Sequence, residues 1–415
     1  MRFLHTADWQ LGMTRHFLDA DAQARFTAAR MDVIGRIGAL AREQDCEFVL
    51  VCGDVFESNA LPHRVVARAL EAMKEAGVPF YLLPGNHDPL DAASLYDSEE
   101  FTRSCPANVH VLRSAEPVPA GGNVQIVAAP WRSKHPAGDP LKEAREQIED
   151  PHHEQTRERV PDQALDPTQE QPQEHQEQPQ EQPDQPQHAS GAAPQRIIAG
   201  HGAVDVLSPD AQDPALIRTG AWQRLLSQGE VAYVALGDRH STTEVQQGIA
   251  YSGAPEVTDF VETDPGNVLV VELADGRARC TPHQVGTWAF RDLSFTLDSA
   301  EDVERMDRSL TELVDKPRTV LRLTLRGTLT LAAHARMEAV LDQHRETFAS
   351  LQVWQRHSEV AVHVGDEDLV DLDIGGFVAD AVAQLASRAA AEGPDRDQAR
   401  GALTLLYRLA GGQHR

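Results

Sequence analysis

Short apolar runs alternate with longer amphipathic stretches through the first 130 residues. Phe3-Leu4-His5-Thr6, Phe48-Val49-Leu50-Val51 and Phe80-Tyr81-Leu82-Leu83 are short and continuously apolar, the pattern of buried strands. Between them, Ala22 to Gln44 and Leu61 to Ala76 predict helices. Pro62 stands near the start of the second, where its missing N–H costs nothing, and Gly77 sits at the C-cap position. Val109-His110-Val111-Leu112 and Val124 to Ala128 predict further strands. The same grammar resumes at Arg196 to Ala199, Val231 to Leu236 and Gly248 to Tyr251. Strands alternating with helices predict an α/β domain. From about Asp264 the runs lengthen and become β-rich, Asn267 to Leu273 and Arg318 to Leu325, with helical pieces at Ala300 to Val314 and Leu331 to Arg345. These predict a second, α+β unit. Two amphipathic helices, Gly376 to Ala386 and Ala399 to Leu409, close the chain; their apolar faces suit core packing or a partner's docking surface.

One segment breaks this grammar. Gln, Glu, Pro and His dominate it, as in Gln169-Glu170-Gln171-Pro172-Gln173-Glu174-His175-Gln176-Glu177, and such text has too little apolar surface to form a core. From Leu141 to Ser190 it holds 13 acids against 4 bases, so −9 of the chain's −26 resides there. His152, His153, His175 and His188 are scattered among prolines and read as linker rather than metal tract. The expected organisation is one α/β domain over 1–140 and 194–263, a disordered insertion over 141–193, and a C-terminal capping and partner-docking region over 264–415.

Composition narrows the class. The 415 residues suffice for two or three domains, and 41% hydrophobic with 25% charged residues is an ordinary globular balance. No apolar run approaches the roughly 20 residues of a membrane span, so no membrane association is expected. The opening Met1 to Thr6 meets Asp8 at once, without the apolar core of a signal peptide. Cys46, Cys52, Cys105 and Cys280 show no CxxC spacing, fitting neither a disulfide framework nor a thiolate zinc site, and a reducing cytoplasm is the expected location. A net charge of −26 argues against binding nucleic acid through bulk charge.

The chemistry lies at the ends of the predicted strands. Five apolar runs each finish in oxygen or imidazole ligands: Thr6-Ala7-Asp8-Trp9-Gln10, Cys52-Gly53-Asp54, Gly85-Asn86-His87-Asp88, Gly200-His201 and Gly237-Asp238-Arg239-His240. Singly, each is most often a turn or a satisfied histidine. Together they fall at the carboxyl edge of an α/β sheet, where such folds bind ligands. Carboxylates gathered there repel one another unless a cation fills the middle, so the pattern predicts a binuclear metal site suited to in-line phosphoryl displacement.

These motifs resemble the calcineurin-like metallophosphoesterases. His5 to Gly12, Gly53-Asp54-Val55-Phe56, Pro84 to Asp88, Tyr233 to Gly237 and Tyr251 to Pro255 are similar in particular to the SbcD-type nuclease subunit of double-strand-break repair complexes. The resemblance implies a metallophosphoesterase β-sandwich flanked by helices, followed by the capping domain. It implies that Asp8, Gln10, Asp54 and His240 hold one ion, with Asp54 bridging, and that Asn86, His201 and Asp238 complete the second. His87 then stabilises the transition state and helps protonate the leaving oxygen, with Asp88 orienting it. Two departures stand out, because the family usually has His at the places of Gln10 and Asp238. Both changes move the ligation toward harder oxygen, so the two divalent ions are expected to be Mn²⁺ foremost, with Mg²⁺ as the alternative.

Glu57 stands where such nucleases often have His or Asp near the scissile region. With Arg15, His16, Arg64 and Arg132 it forms the candidate DNA-contacting set. The resemblance implies DNA as substrate, a coiled-coil ATPase of the SbcC type as partner, and relatives that tend to form homodimers. Exonuclease and endonuclease action on DNA is thus the leading reading. Its rivals are a metallophosphoesterase of small phosphoesters or cyclic nucleotides, and a non-catalytic scaffold that tethers DNA or the ATPase.

Overall fold

The computed structural model describes residues 1–134, 136–149, 194–210, 212–363, 377–391, 393 and 395–411. The chain divides into two units. The first comprises Met1–Leu11, Ile34–Ala254 and Asn267–Gln284; the second comprises Gly12–Val33, Pro255–Gly266 and Val285–Arg415.

In chain order the elements begin with β1 (Arg2–Thr6), α1 (Ala20–Glu43), β2 (Val49–Cys52), α2 (His63–Ala76), β3 (Phe80–Leu83), α3 (Glu99–Ser104) and β4 (Val109–Val111). Next come β5 (Val118–Pro119), β6 (Val124–Ala128), α4 (Lys142–Glu149), β7 (Gln195–His201), α5 (Thr219–Gln228), β8 (Tyr233–Gly237), β9 (Thr243–Gln246) and β10 (Ile249–Tyr251). The remainder is β11 (Asn267–Ala274), β12 (Arg277–Gln284), β13 (Ala289–Thr296), α6 (Ala300–Glu312), β14 (Thr319–Thr330), α7 (Leu331–Arg345), β15 (Ser350–Val353), β16 (Glu359–His363), α8 (Phe377–Ala390) and α9 (Arg396–Gly411).

The first unit contains two six-stranded sheets, ordered β12-β11-β1-β2-β3-β4 and β5-β6-β7-β8-β10-β9. Strands β1 to β4 run parallel, as do β6, β7, β8 and β10. Parallel strands covered on both faces must be apolar on both, which is why these runs are continuous rather than alternating. Between the sheets lie Phe3, Phe48, Leu50, Leu83, Ile126, Ile197, Tyr233 and Leu269. The other face of the second sheet, through Val127, Ile198, Val234 and Leu236, packs on Trp222 and Leu225 of α5. Helix α2 buries Val66, Ala69, Leu70, Met73 and Ala76, one stripe at helical spacing, and ends on Gly77 with a left-handed φ of 71°.

Two expectations are corrected here. The stretch from Leu141 is not all unstructured: Lys142–Glu149 forms α4, because Leu141, Ala144 and Ile148 fall on one helical face and pack against the second sheet's core. Residues 150–193, the body of the predicted insertion, lie outside the described residues. The β-rich run from Asn267, placed with the C-terminal region, instead adds β11 antiparallel to β1, with Arg2 opposite Glu272 and His5 opposite Leu269, and β12 beyond it. Residues Val268, Leu269, Val270 and Val271 are buried there, sealing what would be an open edge of β1.

The second unit is built on a parallel sheet in which β14 pairs with β13, with β15 through its first half and with β16 through its second. Leu321, Leu323 and Leu325 of β14 join Met306 and Leu310 of α6 and Met337 and Leu341 of α7 in one core. Val382 of α8 and Leu403 of α9 pack with Leu331 and Val362.

Candidate metal centre

Every predicted ligand follows one of five strands of the first unit. Asp8 comes after β1, Asp54 after β2, Asn86 after β3, His201 ends β7, and Asp238 and His240 come after β8. The two sheets therefore each supply part of the set. Ligand atoms of Asp8, Asp54 and His201 lie within 4.8 Å of one another, and all three residues are buried. His201 Nε2 is 2.7 Å from Asn86 Oδ1, 3.5 Å from Asp54 Oδ2 and 3.9 Å from Asp238 Oδ1. His240 Nε2 stands 3.9 Å from Asp8 Oδ1.

The backbone is bent to achieve this. Asp8, Gln10, Asp54 and Asp238 have φ of 56°, 44°, 52° and 98°, in the range that side-chain-bearing residues seldom adopt. Aspartate tolerates that conformation better than most, and such strain clusters at functional sites. Hydrogen bonds hold it: Asp8 N donates to Gly53 O at 3.0 Å, Gln10 N to Asp54 O at 2.8 Å, and Asp238 N to both Asp8 oxygens at 3.1 and 3.2 Å. Glycine is needed at two contacts. A Cβ on Gly53 would overlap the His201 ring, and one on Gly85 would overlap the Asp54 carboxylate.

Electrostatics favour a cation. Burial pushes the Asp8 carboxyl up to about 6, against the pull of His240 and His201. For His201 burial works toward the neutral ring, but Asp54, Asp8 and Asp238 outweigh it and raise its pKa to about 9. Its Nδ1–H donates to the Cys52 carbonyl at 2.9 Å, so Nε2 is the nitrogen directed at Asn86 and the carboxylates. Gln10 Oε1 is buried without a hydrogen-bond partner, a carbonyl oxygen for which a cation is a fitting counterpart. Two buried carboxylates, an imidazole held by its far nitrogen and an orphaned amide oxygen suit a divalent metal with mixed oxygen and nitrogen ligands.

His87 is presented differently. Its backbone N–H donates to Asp54 Oδ1 at 2.9 Å and its Nδ1–H donates to the Glu57 carbonyl at 3.1 Å, leaving Nε2 3.9 Å from Asp54 Oδ2. The ring can hold or release a proton at Nε2 on the site side. The expectation that Asp88 orients His87 is corrected. Asp88 is fully buried and accepts from Phe56 N, Gly85 N and the Tyr96 hydroxyl at 3.0, 2.8 and 2.7 Å, so its carboxylate is spent on tying the loops together. The orienting acceptor is the Glu57 main chain. A carbonyl has no side-chain signature, and neither this contact nor that of Cys52 O with His201 was visible in the sequence.

Among the candidate DNA contacts, Glu57 supplies that carbonyl, Arg64 lies exposed on α2, and Arg132 donates to Arg113 O at 3.0 Å. Arg15 and His16 belong to the second unit, where the Arg15 guanidinium donates to Thr258 O. No helix among the described residues is long and apolar enough to cross a membrane.

The chain is similar in sequence to known proteins. The family described as calcineurin-like phosphoesterase matches residues 1–241. The SbcD component of nuclease SbcCD from Bacillus subtilis is 30% identical over 98 residues, 23% of this chain and 24% of that protein. The DNA double-strand break repair protein Mre11 of Sulfurisphaera tokodaii is 30% identical over 107 residues, 24% of this chain and 26% of its own. The SbcD component of nuclease SbcCD from Rhodobacter capsulatus is 30% identical over 139 residues, 32% of each chain. The matched stretches thus span only about a quarter to a third of these relatives. The family match covers more than half of the 415 residues and contains every candidate ligand from Asp8 to His240. The chain belongs to the calcineurin-like phosphoesterase family.

Proposed function

We propose that this protein is a metal-dependent nuclease that hydrolyses DNA phosphodiester bonds, exonucleolytically at duplex ends and endonucleolytically on single strands. The observation that carries the reading is the convergence of Asp8, Asp54 and His201 within 4.8 Å beside the Asn86-His87 loop. Membership of the family makes it a metal-dependent phosphoester hydrolase. Similarity to proteins named as nuclease components and break-repair proteins supports DNA as the ester.

In this reading Asp8, Gln10, Asp54 and His240 would hold one divalent ion, and Asn86, His201 and Asp238, with Asp54, would hold the other. When bound, such ions polarise phosphoryl oxygens and lower the pKa of coordinated water. The protein's own residues do the rest. Asp54 fixes the His87 main chain, the Glu57 carbonyl fixes the ring's tautomer, and His87 Nε2 is placed to deliver a proton to the departing oxygen. Oxygen-rich ligation favours Mn²⁺, with Mg²⁺ next. A coiled-coil ATPase would supply much of the phosphate contact that a chain of net charge −26 lacks. The same acidity favours a second reading, hydrolysis of a small phosphoester.

End-labelled single-stranded and duplex DNA, incubated with the purified chain and Mn²⁺, Mg²⁺ or chelator beside a generic phosphodiester, tests the proposal. DNA cleavage that chelator stops supports it. Turnover of the small ester alone overturns it in favour of the second reading.

A further inference from the structure

Trp131 follows β6 and touches both halves of the metal centre. Its indole N–H donates to the His201 carbonyl at 2.7 Å, and its ring stands edge-on to the His201 imidazole, centroids 5.9 Å apart at 84°. Its backbone N–H donates to Pro84 O at 3.1 Å and its carbonyl accepts from Leu90 N at 2.8 Å. Those two bonds bracket the Gly85 to Asp88 loop, which holds Asn86 and His87. His201 rides on the second sheet and Asn86 follows the first, and the two sheets are separate hydrogen-bonded ladders. The indole lies beside Gly202, whose φ of 135° favours glycine.

Between His201 and the Gly85 to Asp88 loop the direct contact is His201 Nε2 to Asn86 Oδ1 at 2.7 Å, while the ring's other nitrogen is held by the Cys52 carbonyl. Both atoms belong to the candidate ligand set, so with a metal held there this contact would no longer set their spacing, whereas the Trp131 bonds to His201 O and Pro84 O use no ligand atom. We infer that Trp131 is a positioning residue that sets the separation of His201 and Asn86, and with it the tightness of metal binding. This deepens the metal-centre reading and rests on it.

Calorimetric titration of the full chain with Mn²⁺, paired with thermal melts, tests the inference. Trp131→Phe keeps a ring but loses the donor, and should weaken Mn²⁺ binding by about 10-fold, the scale of losing a residue that supports a ligand. Trp131→Ala should weaken it further. The control is Trp222→Phe: Trp222 is buried on α5, away from every candidate ligand in sequence, and its Nε1 has no hydrogen-bond partner. Its affinity should equal that of the wild type whatever its melting temperature. If the wild type binds and Trp131→Phe matches it, or if Trp222→Phe loses as much affinity, the inference is overturned while the metal site stands. A wild type that takes up no Mn²⁺ overturns the metal site and the inference together.

Discussion

Acid should unfold this protein through one histidine that is not among the candidate metal ligands. His5 lies fully buried on β1, with Nδ1 3.0 Å from the Tyr233 hydroxyl and Nε2 3.2 Å from the Leu236 carbonyl. A carbonyl only accepts, so Nε2 carries the proton and Nδ1 accepts from Tyr233. The neutral ring thereby bridges β1 to β8, one strand from each sheet. Burial lowers its pKa from 6.5 to about 3, against the opposing influence of the Leu236 carbonyl. The folded state thus binds this proton more weakly than the unfolded chain. Its contribution is whole above pH 6.5 and is lost as pH falls toward 3, at about 1.4 kcal/mol per pH unit and roughly 5 kcal/mol in all. That is comparable to the whole net stability of many domains. His5→Gln keeps an acceptor for Tyr233 and a donor for Leu236 but cannot titrate. Urea unfolding of both proteins in chelator, from about pH 7.5 to about pH 5, should show the wild type's advantage shrinking by about 2 kcal/mol. Parallel pH profiles for the two would refute the reasoning.

Other outcomes follow from the site. Asp54→Asn should abolish Mn²⁺-dependent hydrolysis through loss of bound metal, read by elemental analysis of the dialysed protein. His87→Ala should retain metal yet lose about 10²-fold or more in kcat, the scale of a general acid; turnover near the wild-type rate would remove His87 from its role. Gly85→Ala should cut metal content, because the new methyl meets the Asp54 carboxylate, and a variant with unaltered affinity would contradict the packing described. Gln10→His should shift preference from Mn²⁺ toward Zn²⁺ in competition titrations, imidazole being the softer ligand.

How much of this was legible depended on how each residue is buried. Strands β1, β2, β3, β7 and β8 were readable because parallel strands buried on both faces leave unbroken apolar text that stops at the ligand turns. Strand β12, Arg-Ala-Arg-Cys-Thr-Pro-His-Gln, was not, since an outermost strand is half exposed and its charges and proline hide the period. Helix α4 was lost in acidic text because only Ala144 and Ile148, with Leu141 just before it, supply its apolar face. The candidate ligands announced themselves through side-chain chemistry at turns. Their supports did not: the Cys52 and Glu57 carbonyls belong to the main chain, and Trp131 reaches His201 across 70 residues. Asp88 misled for a related reason, since its neighbour in sequence is His87 while its hydrogen bonds go to Phe56, Gly85 and Tyr96.

The pairing of β1 with β11 also has a consequence for the ribosome. Arg2 lies opposite Glu272, so one side of β1 stays without its neighbour until some 270 further residues have been added. At about 5–20 residues per second that delay is on the order of 14 to 54 seconds. Throughout it, Phe3 and Leu4 sit on a strand whose β11-facing edge can recruit any passing extended chain. The step most exposed to aggregation is therefore the wait for β11, and slowing elongation before Asn267 should lower soluble yield more than an equal pause after Gln284.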